Sequence, residues 1–275
     1  MRVRCGITEE PKNCHAVGPT HRTIPEPLPG APGDRQHPAG PVSIFGDELP
    51  GVEVLAKTEC LNPGGSLKDR PVLSMVLAAL ADGQLQPGKT ILDSSSGNAG
   101  IAYAMVGRII GYPVEIVIPN NASTERKKRL LAHGAQLIYT DALKGYDEAL
   151  REVHRRHDTD ADTQHYFFCD QYSNENNWRA HYETTAVEIL EQTGGRLTHI
   201  VAGVGTGGTV TGLGRRLKEH DPTIRLICVL PEVFPGIEGL KPLGPGDIVP
   251  RSWTRPSSTS GSQSQVRTRT RCVPG

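Results

Sequence analysis

The chain has 275 residues, enough for one large or two medium α/β domains. Lys plus Arg and Asp plus Glu both number 30, so no net charge favours nucleic acid or a membrane surface as a partner. No apolar run approaches the ~20 residues of a membrane span. The cysteines are scattered, with no CxxC and no Cys/His metal spacing, so we expect no metal and a cytoplasmic location.

The predicted elements begin after a head rich in Pro and Gly, which predicts an irregular or disordered segment over residues 1–42. Apolar runs then predict strands at VEVLAKTE, TILDSS, VEIVIP, AQLIYTD, HYFFCD, THIVAGVG and RLICVLP. Helical stretches lie between them. One of these, STERKKRLLAHG, has Ser123 near its start and Gly134 at its end, where caps belong. The alternation predicts a parallel, doubly wound α/β sheet, in which ligands bind beyond the carboxyl ends of the strands.

The first loop at a strand end is NPGGSLKDR, residues 62–70. Ser66 is expected to cap the next helix, with Asp69 completing something close to a capping box. Lys68 would then lie in the first turn, where the positive helix end disfavours an ammonium group, and partial burial would lower its pKa as well. A partly neutral lysine is a nucleophile suited to a Schiff base with an aldehyde. A solvated surface lysine is the alternative.

The second loop is DSSSGNAG, residues 93–100, between a predicted strand and a predicted helix. Its small hydroxyl residues and Gly97 leave backbone N–H groups open to an anion such as a carboxylate. Asn98 adds one directed hydrogen bond. An ordinary polar helix cap would have a similar composition, so that alternative stays open.

The third loop is GVGTGGTVTG, residues 203–212. Glycines that open a helix suit a phosphate group. However, Gly203-x-Gly205-x-x-Gly208 also satisfies the dinucleotide fingerprint, and Glu232 follows the next strand, roughly where a ribose-binding acid is expected. A nicotinamide-dependent oxidoreductase is therefore an alternative, although such a fingerprint usually lies in the first βα turn of its domain.

Together, these features predict a phosphorylated aldehyde cofactor and an amino-acid substrate: a partly neutral lysine, a loop suited to bind a carboxylate and a loop suited to bind a phosphate. This combination resembles the fold-type II pyridoxal-phosphate family, which includes cysteine synthases, cystathionine β-synthases and threonine dehydratases. The resemblance covers roughly residues 49–250. Its motifs are NPGGSLKDR, SSGNAGIAYA, VIPNNASTERKKRLLAHGAQLI, QYSNENNWRAHYETTAVEIL and GVGTGGTVTGLGR.

The resemblance implies a tryptophan synthase β-subunit-like architecture, with two parallel-sheet α/β domains of which the C-terminal one is incomplete. The implied organisation has four parts: an irregular head (1–42), an N-terminal α/β region with the cofactor lysine and the substrate loop (43–180), a partial C-terminal α/β region with the phosphate loop (181–250), and a disordered basic tail (251–275).

The resemblance also implies a role for each site residue, with pyridoxal 5′-phosphate as the cofactor. Lys68 holds the cofactor as a Schiff base and, once displaced by substrate, moves the α-proton. Asn98 bonds the ring hydroxyl of the cofactor. The phosphate cradle comprises Gly205, Thr206, Gly207, Gly208 and Thr209. The substrate carboxylate is bound by Ser95, Ser96, Gly97, Asn98, Ala99 and Gln171.

The implied reaction is β-replacement on an activated serine by a sulfur nucleophile, which forms cysteine. Four residues fall in register with the cysteine and cystathionine synthase pattern: Asn174, Asn177, His181 and Thr184. For His181 we expect a structural hydrogen-bonding role rather than proton transfer. The alternatives are cystathionine β-synthase-like, cysteine desulfhydrase or serine/threonine dehydratase activity, and a truncated non-catalytic relative.

The two ends depart from the family pattern. Residues 251–275 contain arginine but no acid and no strand or helix period, and the head lacks the opening strand of the family. A shifted reading frame at each end, or disordered regulatory tails, would produce this. We therefore expect a poor catalyst with weak cofactor retention. The expected partners are an amino-acid substrate, a sulfur donor and a second copy of the chain, with no nucleic acid and no membrane.

Overall fold

The computed structural model describes residues 37–43, 48–95, 97–159, 164–231 and 239–240. Its strands are β1 (Ala39–Pro41), β2 (Leu55–Lys57), β3 (Thr90–Ser94), β4 (Val114–Pro119), β5 (Gln136–Thr140), β6 (Tyr166–Phe168), β7 (His199–Gly203) and β8 (Arg225–Val229). Its α-helices are α1 (Asp69–Ala81), α2 (Asn98–Ile110), α3 (Thr124–Ala132), α4 (Gly145–Thr159), α5 (Glu175–Ala180), α6 (Ala186–Thr193) and α7 (Gly208–His220). A π-helical segment, His181–Thr185, joins α5 to α6.

The strands form a four-stranded parallel sheet in the order β5-β4-β3-β6, a parallel pair β7-β8 and an antiparallel pair β1-β2. Each predicted strand run contains an observed strand, and the predicted parallel α/β class is confirmed. The strand order reverses beside β3, because the chain first adds β4 and β5 on one side and later adds β6 on the other. The carboxyl end of β3 is therefore the topological switch point, where ligands of such sheets bind.

The large sheet is covered on both faces, which explains why its strands read as nearly continuous apolar runs. Along β3, Ile91 packs in the core that includes α1 and α2, whereas its neighbour Leu92 packs with Ala149 of α4. Helices α6 and α7 form a separate small core with Leu213 and Ile224. The proposed domain boundary at 180/181 stays a prediction.

Strand β1 lies within the segment predicted to be irregular. Ala39 pairs with Lys57, and the buried His37 bonds the Asn62 side chain at 2.8 Å. The sequence of β1, AGP, has no apolar alternation that could have predicted a strand. A short edge strand is held by backbone pairing instead and tolerates proline. Residues 1–36 lie outside the described part of the chain.

Helix α3 begins as predicted, since the Ser123 hydroxyl at its N-cap accepts a hydrogen bond from the Arg126 N–H. In the described ranges, no helix combines the length and the apolar character that crossing a membrane requires. The same ranges gather no group of three or more His, Cys, Asp or Glu side chains suited to a metal ion.

Candidate active site

The first loop places Lys68 at the N-cap position of α1, one residue before the helix begins at Asp69. The predicted capping box is wrong: the Ser66 hydroxyl accepts a hydrogen bond from the Lys68 N–H at 3.2 Å. The Asp69 carboxylate instead accepts from the Gly64 N–H, because the Pro-Gly-Gly turn folds that amide back towards the helix start. A side chain at Gly64 would overlap the Asp69 carboxylate.

The amine of Lys68 lies against the third loop. Its Nζ is 4.0 Å from the position that a β-carbon on Gly205 would occupy. Burial lowers the pKa of Lys68 from 10.5 to about 8. A sizeable fraction of the amine is therefore neutral near pH 8, beside a loop that is far away in the sequence.

The second loop follows β3 at the switch point. Ser95 is buried, its N–H donates to the Val117 carbonyl at 3.2 Å, and its hydroxyl accepts from the Gly97 N–H at 3.2 Å. Ala99 is buried, whereas Asn98 is exposed at the first position of α2. Ser96, also predicted to bind the substrate, lies outside the described residues. This loop therefore opens a helix, as its sequence predicts.

Gln171 is brought to the second loop by the neighbouring strand β6. The buried Gln171 carboxamide donates through Nε2 to the Ser94 carbonyl oxygen at 3.0 Å. Because β6 pairs in parallel with β3, the residues that follow the two strands meet at the same edge of the sheet. The structure thus brings Gln171 beside the loop with which it was predicted to act.

Asn177 joins the third loop to Gln171, which lies beside the second loop. Its Nδ2 donates to the Gln171 carbonyl oxygen at 2.6 Å and to Thr206 Oγ1 at 2.9 Å. A β-carbon on Gly208 would overlap the Asn177 side chain, so only glycine fits there. The sequence marked Asn177 only as falling in register with the family, and nothing in its local pattern indicated this connecting role.

The third loop turns into α7 through Gly207, whose φ of 77° is a left-handed conformation that glycine adopts without strain. Helix α7 begins at Gly208 with no side-chain cap, and its first N–H groups have no acceptor within the helix. Such a helix start binds anions. Thr206 is buried, and Thr209 Oγ1 lies 3.2 Å from His181 Nε2.

The buried acid at the start of the second loop was not singled out from the sequence. The Asp93 carboxylate accepts from the Ser94 N–H at 2.7 Å, and burial raises its pKa to about 7. The hydroxyl of Tyr103 and the thiol of Cys169 are buried with it, and burial raises the pKa of both. The available signal was an aspartate at the end of an otherwise apolar strand, TILD.

A buried ion network fixes the start of α1 to α6. The Arg70 guanidinium bonds Glu59 at 2.9 Å and Glu188 at 2.6 Å, and Lys57 bonds Glu188 at 2.6 Å. The Arg70 side chain is 2% exposed. Because Arg70 follows Lys68 by two residues, this network holds the backbone that carries the lysine.

Replacing Arg70 with methionine is expected to lower the free energy of unfolding by roughly 3–5 kcal/mol, since two carboxylates would lose their buried partner. Arg151→Met is the control, because its pair with Glu148 at 3.2 Å is on the surface and the Arg151 side chain is 65% exposed. We expect about 1 kcal/mol or less there. Urea unfolding measures both, and equal losses in the two variants would contradict the role assigned to the network.

The three loops suit pyridoxal phosphate. The aldehyde of the cofactor needs a reactive amine, which Lys68 provides, and its phosphate needs bare backbone at a helix start, which Gly207 and Gly208 provide. The amine and the glycine loop lie next to each other. The site therefore has both groups that this cofactor requires, close to each other.

Comparisons with known proteins point to the same cofactor. The family described as "Pyridoxal-phosphate dependent enzyme" matches residues 35–266. The chain is 52% identical over 194 residues to a cysteine synthase of Aquifex aeolicus, covering 69% of this chain and 58% of that protein. It is 41% identical over 180 residues to a cystathionine beta-synthase of Apis mellifera, covering 66% of this chain and 36% of that protein.

Among solved structures, the crystal structure of a cysteine synthase from Entamoeba histolytica superposes with a TM-score of 0.71 at 34% identity. This match covers 84% of our chain and 70% of the other. The chain spans less than two thirds of the length of the two curated relatives. The family uses pyridoxal phosphate, so the glycine loop no longer supports a dinucleotide cofactor. Glu232, the possible ribose-binding acid of that alternative, lies outside the described residues. On the match over most of its length, the chain belongs to the family of pyridoxal-phosphate dependent enzymes, of fold-type II, as its motifs predict.

Proposed function

We propose that the protein catalyses β-replacement on an activated serine with a sulfur nucleophile, which forms cysteine. The observation that carries this proposal is the proximity of the Lys68 amine to the glycine loop at Gly205. Through Asn177, that loop is bonded to Gln171 beside the second loop. An aldehyde, a phosphate and an amino-acid carboxylate would thus meet in one place. Similarity to the Aquifex and Entamoeba cysteine synthases supports cysteine as the product.

In this proposal, residues 205–209 bind the cofactor phosphate through the N–H groups at the start of α7. Asn98 bonds the ring hydroxyl. When bound, the cofactor supplies a ring that takes up the electrons released at Cα of the substrate. Lys68 takes the α-proton onto Nζ and later returns it, and a pKa of about 8 suits an amine that must be a base and then an acid near neutral pH.

The substrate carboxylate is assigned to the loop of residues 95–99 and to Gln171. The N–H groups at the start of α2 suit an anion, as at any helix N-terminus. The hydrogen bond to the Ser94 carbonyl holds the Gln171 side chain beside that loop. Because this hydrogen bond is buried, the Gln171 side chain is positioned before the substrate arrives.

A second candidate function is cystathionine synthesis, in which an amino-acid thiol replaces sulfide. The Apis mellifera cystathionine beta-synthase supports it, with 41% identity over 180 residues. Cysteine desulfhydration and dehydration of serine or threonine use the same proton transfer at Lys68. These activities therefore differ in the group that leaves Cβ and in whether a sulfur nucleophile then adds there, rather than in the residues described above.

A product assay distinguishes these functions. The purified chain, supplied with pyridoxal phosphate, is incubated with serine, O-acetylserine or O-phosphoserine, each with sulfide or homocysteine, and cysteine, cystathionine and pyruvate are measured. We expect cysteine from an activated serine and sulfide, above the background of the Lys68→Ala variant. Cystathionine as the main product would favour the second candidate function. Pyruvate alone would indicate a lyase, and no product would favour the non-catalytic alternative. The expectation of weak catalysis was based partly on residues 251–275, which lie outside the described part of the chain, and it stays a prediction.

We also propose that the protein is a cytoplasmic homodimer. The described cysteines, Cys60, Cys169 and Cys228, are free thiols, which is typical of a reducing compartment. The dimer rests on the resemblance to the family. Sedimentation of the purified protein should give twice the mass of one chain, and the mass of a single chain would contradict the proposal.

A further inference from the structure

A buried histidine connects the π-helical segment to the third loop. His181 is 1% exposed and is the first residue of the segment His181–Thr185. Its Nδ1 lies 3.0 Å from Thr185 Oγ1, and its Nε2 lies 3.2 Å from Thr209 Oγ1. Both ring nitrogens thus face a threonine hydroxyl, and one of these hydroxyls belongs to the proposed phosphate loop. π-helical turns inside α-helices are frequent at functional sites.

The imidazole of His181 is neutral under ordinary conditions. Burial lowers its pKa to about 3, and the nearby charges of Lys68 and Arg70 act in the same direction. A neutral imidazole has one N–H donor and one nitrogen acceptor. The two hydrogen bonds that link Thr185, His181 and Thr209 can therefore run in either of two opposite directions, depending on which ring nitrogen carries the proton.

The two directions present different groups to the anion. If Nδ1 carries the proton, Nε2 accepts from the Thr209 hydroxyl. The Thr209 oxygen then has only lone pairs left for a bound phosphate, and it cannot donate to it. If Nε2 carries the proton, it donates to Thr209 Oγ1, and the Thr209 O–H is left to donate to a phosphate oxygen. Only the second direction adds a hydrogen bond to the anion, and in it the Thr185 hydroxyl donates to Nδ1.

We propose that Thr185 and His181 are positioning residues that hold the Thr209 hydroxyl as a hydrogen-bond donor to the phosphate of the cofactor, with His181 as the Nε2–H tautomer. This inference rests on the proposed binding of phosphate at residues 205–209. The π-helical turn contributes because it sets the register between His181 and Thr185. His181 transfers no proton in the reaction, and it acts only through Thr209.

The tautomer is measured directly by ¹⁵N NMR of the histidine side chains in the intact chain, with pyridoxal phosphate bound and, separately, with inorganic phosphate added to the cofactor-free protein. The protonated and bare ring nitrogens have well-separated shifts, and the His181 signals are assigned from the His181→Gln variant. We expect a proton on Nε2 and none on Nδ1. A proton on Nδ1 of the phosphate-bound protein would overturn the proposal, whatever the effect of the variants on affinity.

The second measurement is the dissociation constant of pyridoxal phosphate and of inorganic phosphate. Thr185→Val keeps the side-chain shape and removes the hydroxyl, so we expect both ligands to bind roughly tenfold more weakly, as for the loss of one oriented hydrogen bond to a charged group. Thr185→Ser restores the hydroxyl and should recover most of the affinity. The control is Thr193→Val on α6, whose hydroxyl bonds the Ile189 carbonyl at 2.8 Å and which should leave the affinity unchanged.

Failure of this inference is distinguishable from failure of the proposed function. If Gly207→Asp weakens cofactor binding while Thr185→Val does not, the phosphate site stands and the relay is wrong. If neither ligand binds the intact chain, or if Gly207→Asp has no effect on binding, the relay falls together with the phosphate site. If Thr185→Val and Thr193→Val weakened binding equally, Thr185 would act only through the stability of its helix, and the relay would be wrong.

Discussion

Replacing Lys68 with alanine is expected to abolish the visible absorption of the protein–cofactor linkage and to lower any β-replacement rate by at least roughly a thousandfold. The substitution removes both the amine that bonds the aldehyde and the base that moves the α-proton, and a positioned base alone contributes 10²–10⁴-fold. Absorbance spectra and the cysteine assay measure the two effects. Free pyridoxal phosphate should still bind weakly, because residues 205–209 remain.

Lys144→Ala is the control for this result, because its side chain is 58% exposed and its ammonium lies 3.5 Å from Glu148 on the surface. It should keep the visible absorption. In the unaltered chain, the rate of cofactor incorporation should rise with pH and level off above about pH 8, since the neutral amine is the reacting form. Full occupancy by a borohydride-reducible cofactor in Lys68→Ala would show that another amine holds it.

Replacing Gly207 with aspartate is expected to weaken cofactor binding by about 4 kcal/mol, which is roughly a thousandfold in Kd. The new carboxylate would lie beside the phosphate dianion, and two unit charges about 4 Å apart near a protein surface repel by about that amount. The left-handed backbone at Gly207 adds strain of its own. Titration of the cofactor-free protein with pyridoxal phosphate gives the Kd.

The matched control for backbone strain is Gly88→Asp. Gly88 has a φ of 91°, a β-carbon there would meet nothing within 4 Å, and it lies just before the amino end of β3, opposite the site. Its substitution should lower stability slightly and leave the Kd unchanged. If Gly207→Asp and Gly88→Asp gave the same Kd as the unaltered chain, residues 205–209 would not be the phosphate site.

Local chemistry explains why much of the site could be predicted. Lys68, Asn98 and Gly207 each lie in a short motif after a predicted strand, and their side chains or bare backbone indicate a ligand without reference to other parts of the chain. The capping box at Ser66 failed for a related reason. Its residues have the right spacing, but the Gly64 N–H competes for the Asp69 carboxylate, and the spacing does not reveal that choice.

The sequence by itself determined the parallel α/β class and the family, and it marked the three loops that we propose bind ligands, because these depend on residue types and on periods that are local along the chain. Only the tertiary structure decided that Lys68 faces Gly205 and that Gln171 meets the Ser94 carbonyl. The Gln171 contact depends on the reversal of strand order beside β3, which no local pattern encodes. The approach of Lys68 to Gly205 depends on packing between segments that are far apart in the sequence. The approach of His181 to Thr209 likewise depends on a π-helical turn and on the packing of α7 against it, since a side chain finds a distant partner only once the core fixes both backbones.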